Sequence, residues 1–185
     1  MLVRAVGELL GREVRAKDER VGVLEDVYFD RDCWELSHLL IAAGDRRTLI
    51  SSACIELDAP AQHALYLSIS RTQIDNGAGC WAMDHAAGWL EDIRVCSARQ
   101  AVGWRVLAED GPIGVVIDLF IERRSWSILY LVVKSGSSFG ARHFPVALDW
   151  AEPLDPLEAT VRMRRTRAQL SFPPAVNGTL RLRAR

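Results

Sequence analysis

Two aspartates are the first residues to weigh for chemistry. Asp26 and Asp118 stand in closely similar surroundings, GVLEDVYFD and GVVIDLFIE. A carboxylate can act as a general acid or base when a second carboxylate or a histidine lies at matched distance. No such residue recurs beside either aspartate. Structural use is therefore the expectation, with each carboxylate accepting main-chain N–H groups at a β-bulge. Cys80, Asp84 and His85 are a compact set of metal-ligating types. Zinc sites normally draw on two paired clusters, and here there is one irregular cluster. His38, His63 and His143 lie in unrelated contexts, and no nucleophile-elbow motif supports a Ser/His/Asp arrangement. The phosphate-cradling loops GxGxxG and GxxxxGK[ST] are absent from the sequence. The expectation is a protein without enzyme chemistry, cofactor or metal.

Binding chemistry has two candidate places. Arg162, Arg164, Arg165 and Arg167, with Arg181, Arg183 and Arg185 further on, form a local charge anomaly in a chain of net charge −1. They could meet phosphates or an acidic protein. The favoured reading is plainer: Val161 and Met163 point inward, and Arg162 and Arg164 form the solvated face of an edge strand. The segment 135–142, SGSSFGAR, sets Phe139 between Gly136 and Gly140 and ends on Arg142. Its alternatives are an apolar contact and a bare loop tip. The candidate partner contacts are thus Phe139, Arg142, Arg162 and Arg164.

The elements that position these residues occur twice. Residues 11–41 and 103–133 share Gly11/Gly103, Val14/Val106, Asp18/Asp110, Arg31/Arg123 and Leu39/Leu131 at a constant offset of 92. The repeat signature is Gly22, Asp26 and Trp34 in the first copy and Gly114, Asp118 and Trp126 in the second. Past Gly44/Gly136 the offset becomes 96, as in Ile50/Val146, Arg71/Arg167 and Gln73/Gln169, so the second copy has gained four residues in a hairpin. Length changes of this kind are what surface loops tolerate. The repeat divides the chain into a first unit at 1–76, a Gly- and Trp-containing connector at 77–92, a second unit at 93–174 and a basic tail at 175–185. Trp81 and Trp89 of the connector are expected to dock on a unit. The lead-in segments 1–10 and 93–102 match weakly beyond Val3/Val95.

Within the first unit, strands are expected at 13–17, 23–30, 34–42, 49–51 and 64–69, closed by a capped helical turn at 70–74. The turn at 166–170 is its counterpart. Gly22 suits a position needing positive φ or close backbone approach. Alternation puts Val115, Ile117, Leu119 and Ile121 on the inner face, with Glu25 as an exception. The run ILYLVV at 128–133 is apolar on both sides and needs cover on both. That predicts two units packed through their second and third strands about a pseudo-twofold axis, with Tyr130 and Val132 covered.

Apolar residues at 49% and charged residues at 25% fit an ordinary globular protein. Cys33, Cys54, Cys80 and Cys96 form no CxxC pair, and the sequence shows no secretion-like apolar run with a charged start. Both point to a reduced, cytoplasmic setting. Nothing approaches the roughly 18–20 continuous apolar residues of a membrane span.

With these residues in place, the chain resembles the PRC-barrel family. Its pattern GxxVxAxDGxIGxVxDxxxDxxxWxIxYLVV, followed by a TREQI-like turn, is matched closely by residues 103–133 and by TRAQL at 166–170. The resemblance implies an all-β fold of two small antiparallel six-stranded barrels in tandem, each closed by a short helical turn. Family settings include the cytoplasmic part of the photosynthetic reaction centre H subunit and the C-terminal domain of a ribosome maturation factor. The implied function is a non-catalytic protein-interaction or scaffold module. The alternative is RNA or ribosome association through 162–167 and the tail. Protein partners, RNA and self-association as a homodimer are the partners to consider, in the cytoplasm or at the membrane periphery.

Overall fold

The computed structural model describes residues 3–56, 64–77, 80–82, 94–136, 142–154 and 158–170. The first half contains β1 (Val3–Ala5), α1 (Val6–Leu9), β2 (Glu13–Arg15), β3 (Arg20–Asp30), β4 (Leu36–Ala43), β5 (Arg46–Ser51), β6 (Ala64–Tyr66), α2 (Arg71–Asp75) and β7 (Cys80–Ala82). The second contains β8 (Val95–Ser97), α3 (Ala98–Ala101), β9 (Arg105–Ala108), β10 (Gly111–Glu122), β11 (Ile128–Ser135), β12 (Arg142–Ala147), β13 (Thr160–Arg162) and α4 (Arg167–Leu170). They form a seven-stranded sheet on the path β6-β2-β3-β4-β5-β7 and a six-stranded sheet on the path β12-β11-β10-β9-β13.

The fold is β-rich, as expected, but the sheets are mixed where antiparallel ones were anticipated. β6 pairs parallel to β2, and β13 pairs parallel to β9. Each returns to the sheet after a 3₁₀ turn, at 52–54 or 148–150, and not through a tight hairpin. A tight hairpin would have forced antiparallel pairing. Both strand paths are open. A single bridge on each side, Ile55–Leu67 and Ala151–Met163, links the chain after that turn to the residue following β6 or β13.

The strand count per half was also expected to be self-contained, and it is not. β1 pairs with β10, in the register Val3–Glu122, Arg4–Ile121 and Ala5–Phe120. β8 pairs with β3, in the register Val95–Asp30, Cys96–Phe29 and Ser97–Tyr28. The two registers are identical under the repeat offset. Each half therefore lends its leading strand to the sheet of the other. Between them the chains meet again at a bridge, Glu35–Ser127. Leu36 N donates to Trp126 O at 3.0 Å and Ile128 N donates to Trp34 O at 2.8 Å. These reciprocal bonds mark the pseudo-twofold axis, which runs through strand ends rather than through packed strand faces. One buried apolar cluster joins Val14, Leu24 and Phe29 to Val106, Leu119 and Ile121 across it. Val132 is buried and Tyr130 half-buried.

The inner-face alternation is corrected by a bulge. On β3 the register with β4 jumps between Leu24 and Asp26, and on β10 the register with β11 jumps between Val116 and Asp118. One extra residue reverses which side chains face inward. Leu24 and Val116 are consequently core residues, followed beyond the bulge by Val27 and Phe29 or Leu119 and Ile121. Val115, expected inside, is 36% exposed, and Ile117 is half-buried. Glu25 sits at the bulge and pairs with Arg47 Nε at 2.8 Å.

Gly22 and Gly114 show the close approach, without positive φ. A Cβ at Gly22 would strike the carbonyl oxygen of Ala42, and one at Gly114 that of Lys134. Both obstacles are main-chain atoms of the paired strand, which cannot rotate away. Gly114→Ala should therefore cost about 2–3 kcal/mol, the upper range for overpacking. Urea unfolding against Gly103→Ala would check it, since a Cβ at Gly103 meets nothing and only its φ of 95° is strained.

Candidate functional site

The matched aspartates lie at the strand exchange. Asp26 Oδ1 accepts from Val27 N at 2.8 Å and from Arg99 N at 3.2 Å, while Ser97 Oγ donates to its Oδ2 at 2.5 Å. Asp118 Oδ1 accepts from Leu119 N at 2.8 Å and Gly7 N at 3.0 Å. Each carboxylate thus binds its own bulge and the start of the short helix that follows the other half's lent strand. Burial pushes both carboxyls above the ordinary aspartate range, against the opposing pull of these hydrogen bonds. A group raised in this way favours the fold most when protonated, and that contribution fades as pH rises through its folded pKa. The geometry positions main chain.

His38 lies in β4, 8% exposed, with Ser37 Oγ 2.6 Å from its Nδ1. Burial holds its pKa below the usual histidine value. No group of three or more His, Cys, Asp or Glu side chains among the described residues could hold a metal ion. Asp84, His85 and His63 lie outside the described residues, as do Trp89 and the tail.

The candidate contacts are scattered. Phe139 also falls outside the described residues, and Arg142 is exposed at the start of β12. Arg162 Nη2 pairs with Glu158 Oε2 at 2.9 Å, and Arg164 Nη2 donates to Ala151 O at 3.3 Å. The Arg165 guanidinium lies over the Trp150 ring at 5.4 Å, and Arg167 Nε pairs with Asp110 at 3.3 Å. Exposed pairs of this kind contribute little to stability, roughly 0–1 kcal/mol. They do hold these side chains along the protein's own surface.

A site that the sequence reading passed over lies where the halves join. A cleft of roughly 500 Å³, mouth included, is lined by Arg4 of β1, Arg12 after α1, and Arg123 and Trp126 of the turn after β10. Leu9, Ile121, Ile55 and Leu65, all buried, lie behind it, Tyr66 also lines it, and Glu56 is the acidic residue of the lining. Burial and the charges of Arg12 and Arg123 lower the pKa of Arg4, with Glu8 opposing. Arg12 Nε donates to Glu8 O at 2.7 Å. The Trp126 Nε1 atom is buried with no hydrogen-bond partner.

The repeat supplies an internal comparison for this cleft. At the pseudo-equivalent junction Cys96 replaces Arg4, Trp104 replaces Arg12, Phe29 replaces Ile121 and Trp34 replaces Trp126. All four are buried there, and Trp34 stacks on Phe29 with centroids 5.2 Å apart. Burial pushes the Cys96 thiol up to about 11, so it is a packed thiol and not a nucleophile. One junction is filled with aromatic side chains, and its twin is open and cationic. The signal was present in the sequence as the mismatched pairs Arg4/Cys96 and Arg12/Trp104, set in segments whose partners only the fold reveals.

The chain matches no protein-family model, and no curated protein shows significant similarity to it. No described helix is long and apolar enough to cross a membrane.

Two expectations follow. Asp26→Ala strands the buried Ser97 hydroxyl and two N–H groups, so it should cost about 2–4 kcal/mol. Asp26→Asn keeps one acceptor oxygen without the buried charge and should cost less than half as much in the same denaturation assay. For His38, the unfolded chain takes up a proton more readily than the fold, so stability falls as pH drops through about 6.5 toward the lower folded pKa. Melting curves at pH 7.5 and 5.5 should show this loss, and His38→Gln should reduce it.

Proposed function

We propose that the chain is a non-catalytic binding scaffold of the PRC-barrel type, with its partner seated at the junction cleft. The barrel reading is supported by the repeat signature and by the bridges Ile55–Leu67 and Ala151–Met163, which link the chain after β5 to that after β6 and the chain after β12 to that after β13. The scaffold reading is supported by the use of Asp26 and Asp118, whose oxygens bond to the main chain on both sides of the exchange. One observation carries the placement of the site: of two junctions related by the repeat, one is packed shut and the other is open.

The test copies the closed junction onto the open one. Arg12→Trp installs the residue found at position 104, and the full-length protein is immobilised beside wild type and exposed to the same cell extract. A component retained by wild type should fall at least tenfold with Arg12→Trp, while the two proteins unfold at similar temperatures. Identical retention by both would remove the cleft from the function. Retention that instead follows Arg162→Ala and Arg164→Ala, and weakens steeply with salt, would move the site to β13 and favour RNA as the partner.

A further inference from the structure

Both sheets carry the same cross-strand row, neutralised in the first half and cationic in the second. In the second half Thr160, Arg105, Val115, Lys134 and His143 stand directly opposite one another on β13, β9, β10, β11 and β12. Directly opposed residues of neighbouring strands share one face of a sheet. Val115, 36% exposed, marks that face as the outer one, and Arg105 and His143 are exposed beside it. The equivalent row of the first half is Ala64, Glu13, Val23, Ala42 and Arg47, in the same register. There each charge meets a counterion: Arg15 Nη1 lies 2.6 Å from Glu13, and Arg47 Nε lies 2.8 Å from Glu25. In the second half Leu107 stands where Arg15 does, and Ile117 where Glu25 does. Arg105 and Lys134 pair with no carboxylate among the described residues. The row lies roughly 20 Å along β10 from Ile121 of the junction cleft, so it is a separate surface.

Cations without counterions, set among apolar residues that stand in the counterions' places, fit a partner both acidic and apolar. Arg105 and Lys134 are two strand spacings apart, about 10 Å, close enough to act on one anionic segment. Single-stranded nucleic acid binds protein faces by stacking its bases on aromatic side chains, and this row has no Phe, Tyr or Trp. A lipid surface is held by apolar side chains that reach into the acyl boundary. Here Leu107 and Ile117 are half-buried in the sheet and do not protrude. An extended polypeptide offers carboxylates and apolar groups on alternate residues, at a spacing set by the same pleat as the sheet beneath it. We propose that this outer face docks an acidic, apolar protein segment. Its carboxylates meet Arg105 and Lys134, with His143 as a further donor, and its apolar side chains cover Val115, Leu107 and Ile117.

The full-length protein is titrated by fluorescence anisotropy against labelled octapeptides. One alternates glutamate and valine, and two controls carry glutamine for glutamate or serine for valine. The glutamate–valine peptide should bind roughly tenfold tighter than the glutamine control and severalfold tighter than the serine control. Arg105→Glu combined with Lys134→Ala copies Glu13 and Ala42 of the first row and should weaken that peptide roughly tenfold. Val115→Asn should weaken it severalfold, and keeps the test informative if the double variant unfolds on heating earlier than wild type. Arg46→Glu, in the first half, should leave binding unchanged. Equal binding of the three peptides would overturn the proposal, as would no binding, or equal binding by wild type and the double variant. Octauridylate, or phosphatidylglycerol vesicles, bound more tightly than the peptide through Arg105 and Lys134 would overturn it in favour of RNA or a lipid surface. None of these outcomes bears on the Arg12→Trp comparison, so the docking face and the junction cleft can fail separately.

Discussion

Everything in this molecule depends on a reciprocal loan of strands. β1 completes the sheet around β10, β8 completes the sheet around β3, and the carboxylates of Asp118 and Asp26 tie down the chain that follows each lent strand. Because the loan is mutual, neither sheet can reach its full set of main-chain partners from its own half. Buried N–H and C=O groups left unpaired are expensive, so the two halves are coupled by ordinary hydrogen-bond demand. The two copies are thus joined through shared sheets, each contributing a strand to the other.

The features the two copies share all serve that arrangement. Gly22 and Gly114 let the paired strand pass at a distance no Cβ would allow. The bulges at residues 25 and 117 turn the aspartates toward the exchange while keeping Leu24 and Val27, or Val116 and Leu119, in the core. Trp34 and Trp126 hold φ near 61° and 57°, a left-handed geometry that costs a non-glycine residue about 1–2 kcal/mol. In both copies that residue's carbonyl accepts the hydrogen bond from the opposite half, at Ile128 N and Leu36 N. The strain is spent where the halves meet. The differences between copies collect beside the same axis, where Arg12 lines the cleft and its counterpart Trp104 is packed.

The sequence disclosed what is local. The duplicated signature, the closing turn with its Ser70–Gln73 capping box, and the tight approach at Gly22 follow from residue types within a few positions of one another. The inner face of β10 did not follow, because one bulge residue at 117 reverses the alternation and no side chain announces it. The lent strands were hidden for another reason. Strand pairing is made by main chain, so Arg4 and Ala5 could diverge to Cys96 and Ser97 without changing the register, and weak similarity concealed an identical role. The cleft was illegible because it is assembled across that exchange, from residues more than a hundred positions apart.

Amide hydrogen exchange of the native protein tests the coupling most directly. Cooperative units open together, and their slowest amides share one opening free energy and one denaturant dependence. If the exchange of strands makes one unit, the most protected amides of β3 and β10 should give the same two values. A protein in which the slowest amides of one sheet exchange through a cheaper opening while those of the other stay protected would contradict the account.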